Sequence, residues 1–296
     1  MRSASLTASL PAVSKGWRAR GHVVGWPALG ALLLAVLVLI ALLGPFAGLP
    51  DPGRQALGDR LAPPLTTSAD GTLHLLGTDQ LGRDVLSRVV HGARVSLAVA
   101  SAVLLLGGLS GSLLGMIVGY RGGRLESVLM RLADFQMAFP PLLLAIFLLY
   151  VVGASLFNLV AFLVLLTWVG FARLARGQTL ALRQQLFVEA AIALGCSEQR
   201  ILWRHLLPHL VPVLLVAGVF EFASLLLAEA SLSFLGLGVQ PPEASWGLML
   251  AQGNAFVTSG AWWLVAAPGL AMFLTTLAAR GASLWLQQLL RLSSHP

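Results

Sequence analysis

The chain has 296 residues, of which 57% are hydrophobic and only 10% charged, with a mean hydropathy of +0.84. A soluble domain carries nearer a quarter charged residues, so this balance belongs to an integral membrane protein. The net charge of +7 does not point to nucleic acid. The cations fall between apolar runs rather than along one face, and no basic stretch is interleaved with stacking aromatics.

A bilayer core takes about 20 apolar residues as helix. Six stretches meet or approach that: Trp26–Phe46, His91–Tyr120, Leu129–Val152, Leu156–Phe171, Pro208–Leu235 and Ala261–Leu284. The first has a basic leader, but it is longer than a signal core and lacks a small-x-small site after it, so it reads as an uncleaved anchor. The expected division is a tail over 1–25, an anchor over 26–48, an external loop over 49–90 and a five-helix core over 91–296, with a polar loop at about 172–207. Leu49–Asp70, rich in Pro, Gly, Asp and Ser/Thr, reads as irregular.

Counting cations sets the orientation. Arg2, Lys15, Arg18 and Arg20 lie in the tail, Arg121, Arg124 and Arg131 in one connection, and Arg173, Arg176, Arg183, Arg200 and Arg204 in the long loop, whereas 236–260 has no Lys or Arg. Both termini and the long loop are therefore expected in the cytoplasm. The single cysteine, Cys196, falls in that loop, where a thiol stays reduced. It can form no intrachain disulfide and reads as a small packing residue.

In the second span Gly107, Gly111, Gly115 and Gly119 recur every fourth residue, forming one small-residue stripe. Such stripes let helix backbones approach closely in lipid. Packing within the chain and contact with a partner both fit. The string Gly108-Leu109-Ser110-Gly111 resembles the nucleophile motif of rhomboid proteases. That chemistry needs a histidine base on another span, and none of His22, His74, His91, His205, His209 and His295 lies mid-membrane there. Asp79–Arg88 alternates charges and is expected as an amphipathic turn against the outer mouth. Trp246, Trp262 and Trp263 flank the last span as interfacial anchors do.

Within the long loop, Leu180–Leu194 is rich in helix formers, and Leu186, Phe187, Ala190 and Leu194 form an apolar side fit to dock on a neighbour. Gly195 can end that helix at positive φ. Ser197 can cap a second short helix over Glu198–His205, after which Pro208 opens the next span. Two short helices joined at a glycine would make a lever, and an ordinary amphipathic surface loop would look the same.

Glu189, Ala190, Ala191, Gly195, Ile201, Leu207 and Pro208 match in order and spacing the EAA loop of binding-protein-dependent ABC importer permeases. Gly77-Thr78-Asp79, Leu81-Gly82-Arg83-Asp84, Ser87-Arg88 and Gly92–Leu97 resemble the stretch before the second span in dipeptide and oligopeptide permeases. Ala228–Pro242 followed by Ser245-Trp246-Gly247 resembles the same group. The resemblance covers roughly Gly77 to Thr276, and by it the chain is identified as a second permease subunit of the peptide/nickel importer family. It implies an all-α type I permease fold with EAA coupling helices in a bacterial inner membrane. It also implies a second homologous permease, two cytoplasmic ATPases and an external substrate-binding protein as partners. Di- or oligopeptides are the expected cargo, with nickel or another small solute as the alternative. A stand-alone channel or secondary transporter would leave the EAA loop unexplained.

The chain itself is expected to bind no cofactor and to catalyse nothing. A P-loop needs a lysine, and the only one here is Lys15, in the tail, so ATP would be hydrolysed by a partner. His209 stands where the family often has asparagine, and the family's polar C-terminal ending is not recognisable after Thr276.

Three acids fall within or at the edge of spans, where charges are paired or face water. Asp134 is expected to pair with Arg131. Glu221 and Glu229 lie about 80° apart around one helix and are candidate pathway residues. Glu221 could offer a counter-charge to a peptide ammonium or make an interhelix hydrogen bond; Glu229 could order the external loop. His205 and His209 have a metal-compatible spacing but no third ligand nearby, so no metal site is expected.

Overall fold

The computed structural model describes residues 25–69 and 71–293. The expected tail with its four cations, His22 and His295 thus lie outside the described residues. Helix α1 (Gly25–Leu43) ends in a 3-10 turn. A loop follows, with a second 3-10 turn at Leu57–Asp59 and a two-residue antiparallel ladder of β1 (Thr66–Thr67) and β2 (Leu73–His74). The remaining helices are α2 (Val85–Arg121), α3 (Gly123–Met137), α4 (Pro141–Val152), α5 (Leu156–Arg183), α6 (Leu186–Ala193), α7 (Glu198–Arg200), α8 (Leu207–Phe234), α9 (Trp246–Asn254) and α10 (Trp263–Ser293). The fold is all-α. Among the described residues five helices are long and apolar enough to cross a membrane: α1, α2, α5, the unit running from α7 into α8, and α10.

The third expected span is not one straight helix. Leu129–Val152 falls on α3 and α4, which meet at 86°. Pro140 and Pro141 explain the break. A residue before proline is pushed out of the helical region, and each proline removes a backbone donor. At 12 residues α4 covers only about 18 Å, so it needs α3 to complete a crossing. Helix α3 is held along α5 by polar contacts. Arg176 pairs with Glu126 at 2.5 Å and Arg173 with Asp134 at 2.5 Å. The Gln136 amide donates to the Leu165 carbonyl at 2.8 Å, and the Trp168 indole N–H donates to Gln136 Oε1 at 3.1 Å. Asp134 therefore pairs across to α5, not with Arg131 on its own helix.

The glycine stripe of α2 faces α5 of the same chain. A Cβ at Gly111 would stand 2.2 Å from the Trp168 carbonyl oxygen, and one at Gly115 2.1 Å from that of Ala172. A Cβ at Gly107 would stand 3.0 Å from Thr167 Cβ, and one at Gly119 3.0 Å from the Arg176 carbonyl oxygen. The two backbones can run this close only where no side chain intervenes. Ser110, beside the stripe, donates to the Leu106 carbonyl of its own helix at 2.6 Å. At the other side of the bundle Gly30 of α1 meets Gly281 of α10 in the same way.

The charges of Asp79–Arg88 are not a surface turn. Asp79, Arg83, Asp84 and Arg88 are all buried. Asp79 Oδ2 accepts from Arg83 Nε and Arg88 Nη1, each at 2.7 Å, while its Oδ1 accepts the Leu81 and Arg83 amides. Arg88 reaches on to Gln252 of α9 at 3.0 Å. The alternating charges neutralise one another inside the end of the bundle, as buried charges must. Asp84 caps α2 by accepting the Ser87 amide at 2.7 Å, and so starts that helix at Val85, six residues before the expected His91. Asp84 also binds His74 at 2.8 Å, tying β2 to the cap. Trp246 and Trp263 are buried too, donating to the carbonyls of Val89 and Thr78. Only Trp262 has the exposure expected of an interfacial anchor.

Candidate functional site

The EAA-like loop and a groove along α5 and α8 hold the coupling candidates and Glu221.

The loop is shorter than 172–207. Helix α5 continues to Arg183, and a break at Gln184-Gln185 separates it from α6. Ala193 ends α6 through a pair of hydrogen bonds: the Gly195 amide donates to Ile192 O at 2.9 Å and the Cys196 amide to Ala191 O at 3.1 Å. This is the Schellman arrangement, which requires a left-handed residue, and Gly195 supplies it at φ +76°. Cys196 then tucks into the apolar cluster under α6, consistent with a packing role.

The second arm differs from a separate short helix. Ser197 does cap α7, accepting the Arg200 amide. From there the chain runs through a π-helical stretch, Ile201–Leu206, directly into α8. Pro208 does not interrupt it. The Leu207 amide reaches back to Leu202 O, a wider turn of the kind that accommodates irregular hydrogen bonding just ahead of a proline. The arm beyond Gly195 is thus the end of a membrane-crossing helix.

The inner face of α6, Val188 and Ala191, packs with Ile201, Leu202, Leu206 and Met116 of α2. Its outer face carries Glu189 and Ala190 together with Leu186 and Leu194, which are 81% and 84% exposed. Among the described residues Glu189 has no ion-pair partner. Exposed leucines thus flank a carboxylate on the outer face of the loop. Ile201 and Leu207 belong to the packed underside, and Pro208 is exposed.

The base of the loop is clamped to the end of α2. Arg121 pairs with Glu198 at 2.5 Å, and Arg183 donates to the Tyr120 carbonyl at 2.9 Å, satisfying an orphan group of that helix terminus. The ring of Phe187 stacks on His209, with centroids 4.9 Å apart. His209 Nδ1 hydrogen-bonds the His205 carbonyl, so the two histidines are engaged in backbone and ring contacts. Among the described residues no group of three His, Cys, Asp or Glu side chains could hold a metal. The clamp was not read from the sequence. Its signal was the placement of Arg121 and Arg183 within the last turn of their helices, where cations meet free carbonyls.

The groove has a volume of about 620 Å³ and lies between the α3–α4 break, α5 and α8. Glu221 lines it, with Gln136, Thr167, Arg173 and Gln287. Glu229 does not. It is fully buried against α2, accepting from Ser233 Oγ at 2.7 Å and Ser96 Oγ at 3.1 Å. Ser96 also accepts the Trp246 amide, and Ser233 accepts the Val239 amide. Glu229 therefore fastens the 235–246 segment to α2 and leaves the pathway candidates to Glu221 alone. Eight residues separate the two carboxylates, and the resulting rotation turns one into the packed core and the other toward the groove.

Residues 111–292 match the family described as binding-protein-dependent transport system inner membrane component. The chain belongs to that family. The match runs from the middle of α2 through the EAA-like loop and the groove, and it makes the chain a multi-pass membrane permease. Curated relatives agree along most of its length. It is 36% identical over 263 residues to the di/tripeptide transport system permease protein DppC of Pseudomonas aeruginosa, covering 88% of this chain and 86% of that one. It is 38% identical to the dipeptide transport system permease protein DppC of Bacillus subtilis, covering 84% and 76%. It is 36% identical to the oligopeptide transport system permease protein OppC of the same organism, covering 79% and 74%. A permease of this family works with other components of an ABC transport system, and nothing in its transport role is enzymatic.

Proposed function

We propose that this permease forms half of the membrane pathway of an ATP-driven importer for di- or oligopeptides. The observation that carries the reading is the continuity of the loop with a span: α6, capped at Gly195, rests on a helix that becomes α8, and α8 presents Glu221 to the groove. A force applied to the exposed ridge around Glu189 would pass through Val188 and Ala191 into Ile201–Leu206, and from there to the groove wall. The ridge is the surface by which a cytoplasmic ATPase would hold the chain. ATP is bound and hydrolysed there, by two such subunits, while this chain binds no cofactor. A second homologous permease completes the pathway, and an external binding protein delivers substrate at the end bearing Asp79 and Trp246. On this reading the loop and both termini lie in the cytoplasm and the chain in a bacterial inner membrane. The peptide cargo rests on the relatives' transport of di- and oligopeptides and on the acidic side chain in the groove, a counter-charge for a peptide ammonium.

The test is recovery of the tagged chain from native membranes in mild detergent, followed by uptake in proteoliposomes. Co-purification of a second permease and P-loop ATPases, with peptide uptake that requires ATP, is expected. A chain recovered alone and active in liposomes without ATP would replace the importer with a secondary transporter.

A further inference from the structure

Arg280 of α10 packs on Phe220, the residue next to the groove carboxylate Glu221. Its guanidinium carbon lies 3.9 Å from the centroid of the Phe220 ring, close enough for a strong cation–π contact. The neighbouring turns fix that register: Ser283, three residues on along α10, donates to the Val216 carbonyl of α8 at 3.1 Å. Arg280 is therefore held on α8 beside Phe220, whose next residue is Glu221, while the cation that lines the groove itself, Arg173, is paired with Asp134. Arg280 and Glu221 do not close into a direct salt bridge: none of the ion pairs among the described residues joins them. Glu221 keeps a face on the groove, and Arg280 is only half-buried. A carboxylate at membrane depth needs compensation, and here that compensation comes from a side chain stacked on a ring rather than locked to the acid.

We infer that Arg280 is a specificity-determining residue of this permease: it supplies the counter-charge to Glu221 when the groove is empty and is displaced by the cationic group of a passing solute. The inference rests on the reading of Glu221 as a groove residue in the translocation pathway. A cationic solute gains the carboxylate but must release Arg280 from it, whereas a neutral solute leaves the pair intact. Arg280 thereby sets how far the pathway favours positive charge. Removing its charge leaves Glu221 unbalanced and raises that preference. Removing the charge of Glu221 abolishes it.

The experiment is competitive uptake of lysyl-alanine and alanyl-alanine by cells carrying the wild-type chain or a variant in its place, with assembly checked by co-purification of partner subunits. Arg280→Gln is expected to raise the cationic-to-neutral uptake ratio several-fold, Glu221→Gln and the double variant to bring it to a common low value, and Arg280→Lys to stay near wild type. Phe220→Leu, which frees Arg280 from its stack without removing charge, should shift the ratio in the direction of Arg280→Gln and serves if that variant fails to assemble. A ratio moved by Glu221→Gln but not by Arg280→Gln or Phe220→Leu overturns the role of Arg280 and spares the pathway reading. A ratio indifferent to Glu221→Gln in an assembled importer overturns both.

Discussion

Phe187 of α6 lies flat on His209 in the first turn of α8, with an interplanar angle of 22°. The stack ties the outer arm of the EAA-like loop to the membrane helix at a point beyond the apolar cluster of Val188 and Ile201. An aromatic pair of this kind contributes about 0.5–1.5 kcal/mol. Such a contact is too small to decide the fold and large enough to change how firmly α6 moves with α8. His209→Ala is expected to leave assembly and ATP hydrolysis near wild type while lowering substrate uptake per ATP by several-fold. His209→Phe should restore the ratio. Parallel measurement of both rates in proteoliposomes checks this; an unchanged ratio in the alanine variant shows the stack to be incidental.

The α2–α5 contact predicts a graded response along one stripe. Gly111 and Gly115 face backbone carbonyls at 2.2 and 2.1 Å from a hypothetical Cβ, whereas Gly108 faces side-chain atoms of Phe171 and Leu104 at 3.6 and 3.7 Å. Overpacking of a tight contact costs about 1–3 kcal/mol, and here backbone must move. Gly111→Ala and Gly115→Ala should each lower the thermal unfolding temperature of the detergent-solubilised chain by several degrees and reduce its membrane level. Gly108→Ala should do neither. Equal tolerance at all three positions would mean that α2 and α5 lie farther apart.

Asp79 is the shared partner of two buried arginines, so its replacement strands both. Removing one member of a buried ion pair costs about 3–5 kcal/mol. Asp79→Ala is expected to prevent stable accumulation of the chain. Asp79→Ala combined with Arg83→Leu and Arg88→Met should recover part of the level, because no charge is then left unmatched. Quantitative immunoblotting of membranes distinguishes the two. If the single variant accumulates normally, the node is solvated.

Much of this arrangement was legible in the residues before the structure, and the failures share a cause. Span positions, the glycine stripe, the stop at Gly195 and the cap at Ser197 all follow from local rules of hydropathy, size, φ and hydrogen bonding within a few residues. The misplaced features depend on partners far away in the chain. Asp134 lies three residues from Arg131, which makes that pairing the local expectation, while its partner Arg173 is 39 residues on. Trp246 looked interfacial because it flanks a span, yet its indole meets Val89, 157 residues earlier. The Asp79–Arg88 alternation reads as an amphipathic turn against the outer mouth, since nothing in the segment reveals that Gln252 and the Trp263 helix close over it. The 86° bend at Pro140 was local and readable, but hydropathy averaged across the break. Helical angle alone groups Glu221 with Glu229, whereas which side of α8 meets α2 is fixed by packing.

Gly195 gives the sharpest test of the loop as a lever. Its φ of +76° lies where a side chain costs roughly 1–2 kcal/mol, more for a β-branched one. No atom stands within 4 Å of where a Cβ would be placed, so a substitution strains the turn without a clash. Gly195→Asn, which tolerates the left-handed region, should behave near wild type. Gly195→Val should open the turn, release the Cys196–Ala191 hydrogen bond and loosen α6 from Ile201. The rest of the chain is untouched by that change, so membrane level and partner recovery should hold while uptake per ATP hydrolysed falls about tenfold or more, the equivalent of ~1.4 kcal/mol in the coupled step. The comparison of the asparagine and valine variants isolates backbone geometry from side-chain size, because both fill the same open space. If both transport normally, force reaches α8 by a route other than the Gly195 turn; if both fail, the surface of α6 near that turn, and not its backbone conformation, is what the motor requires.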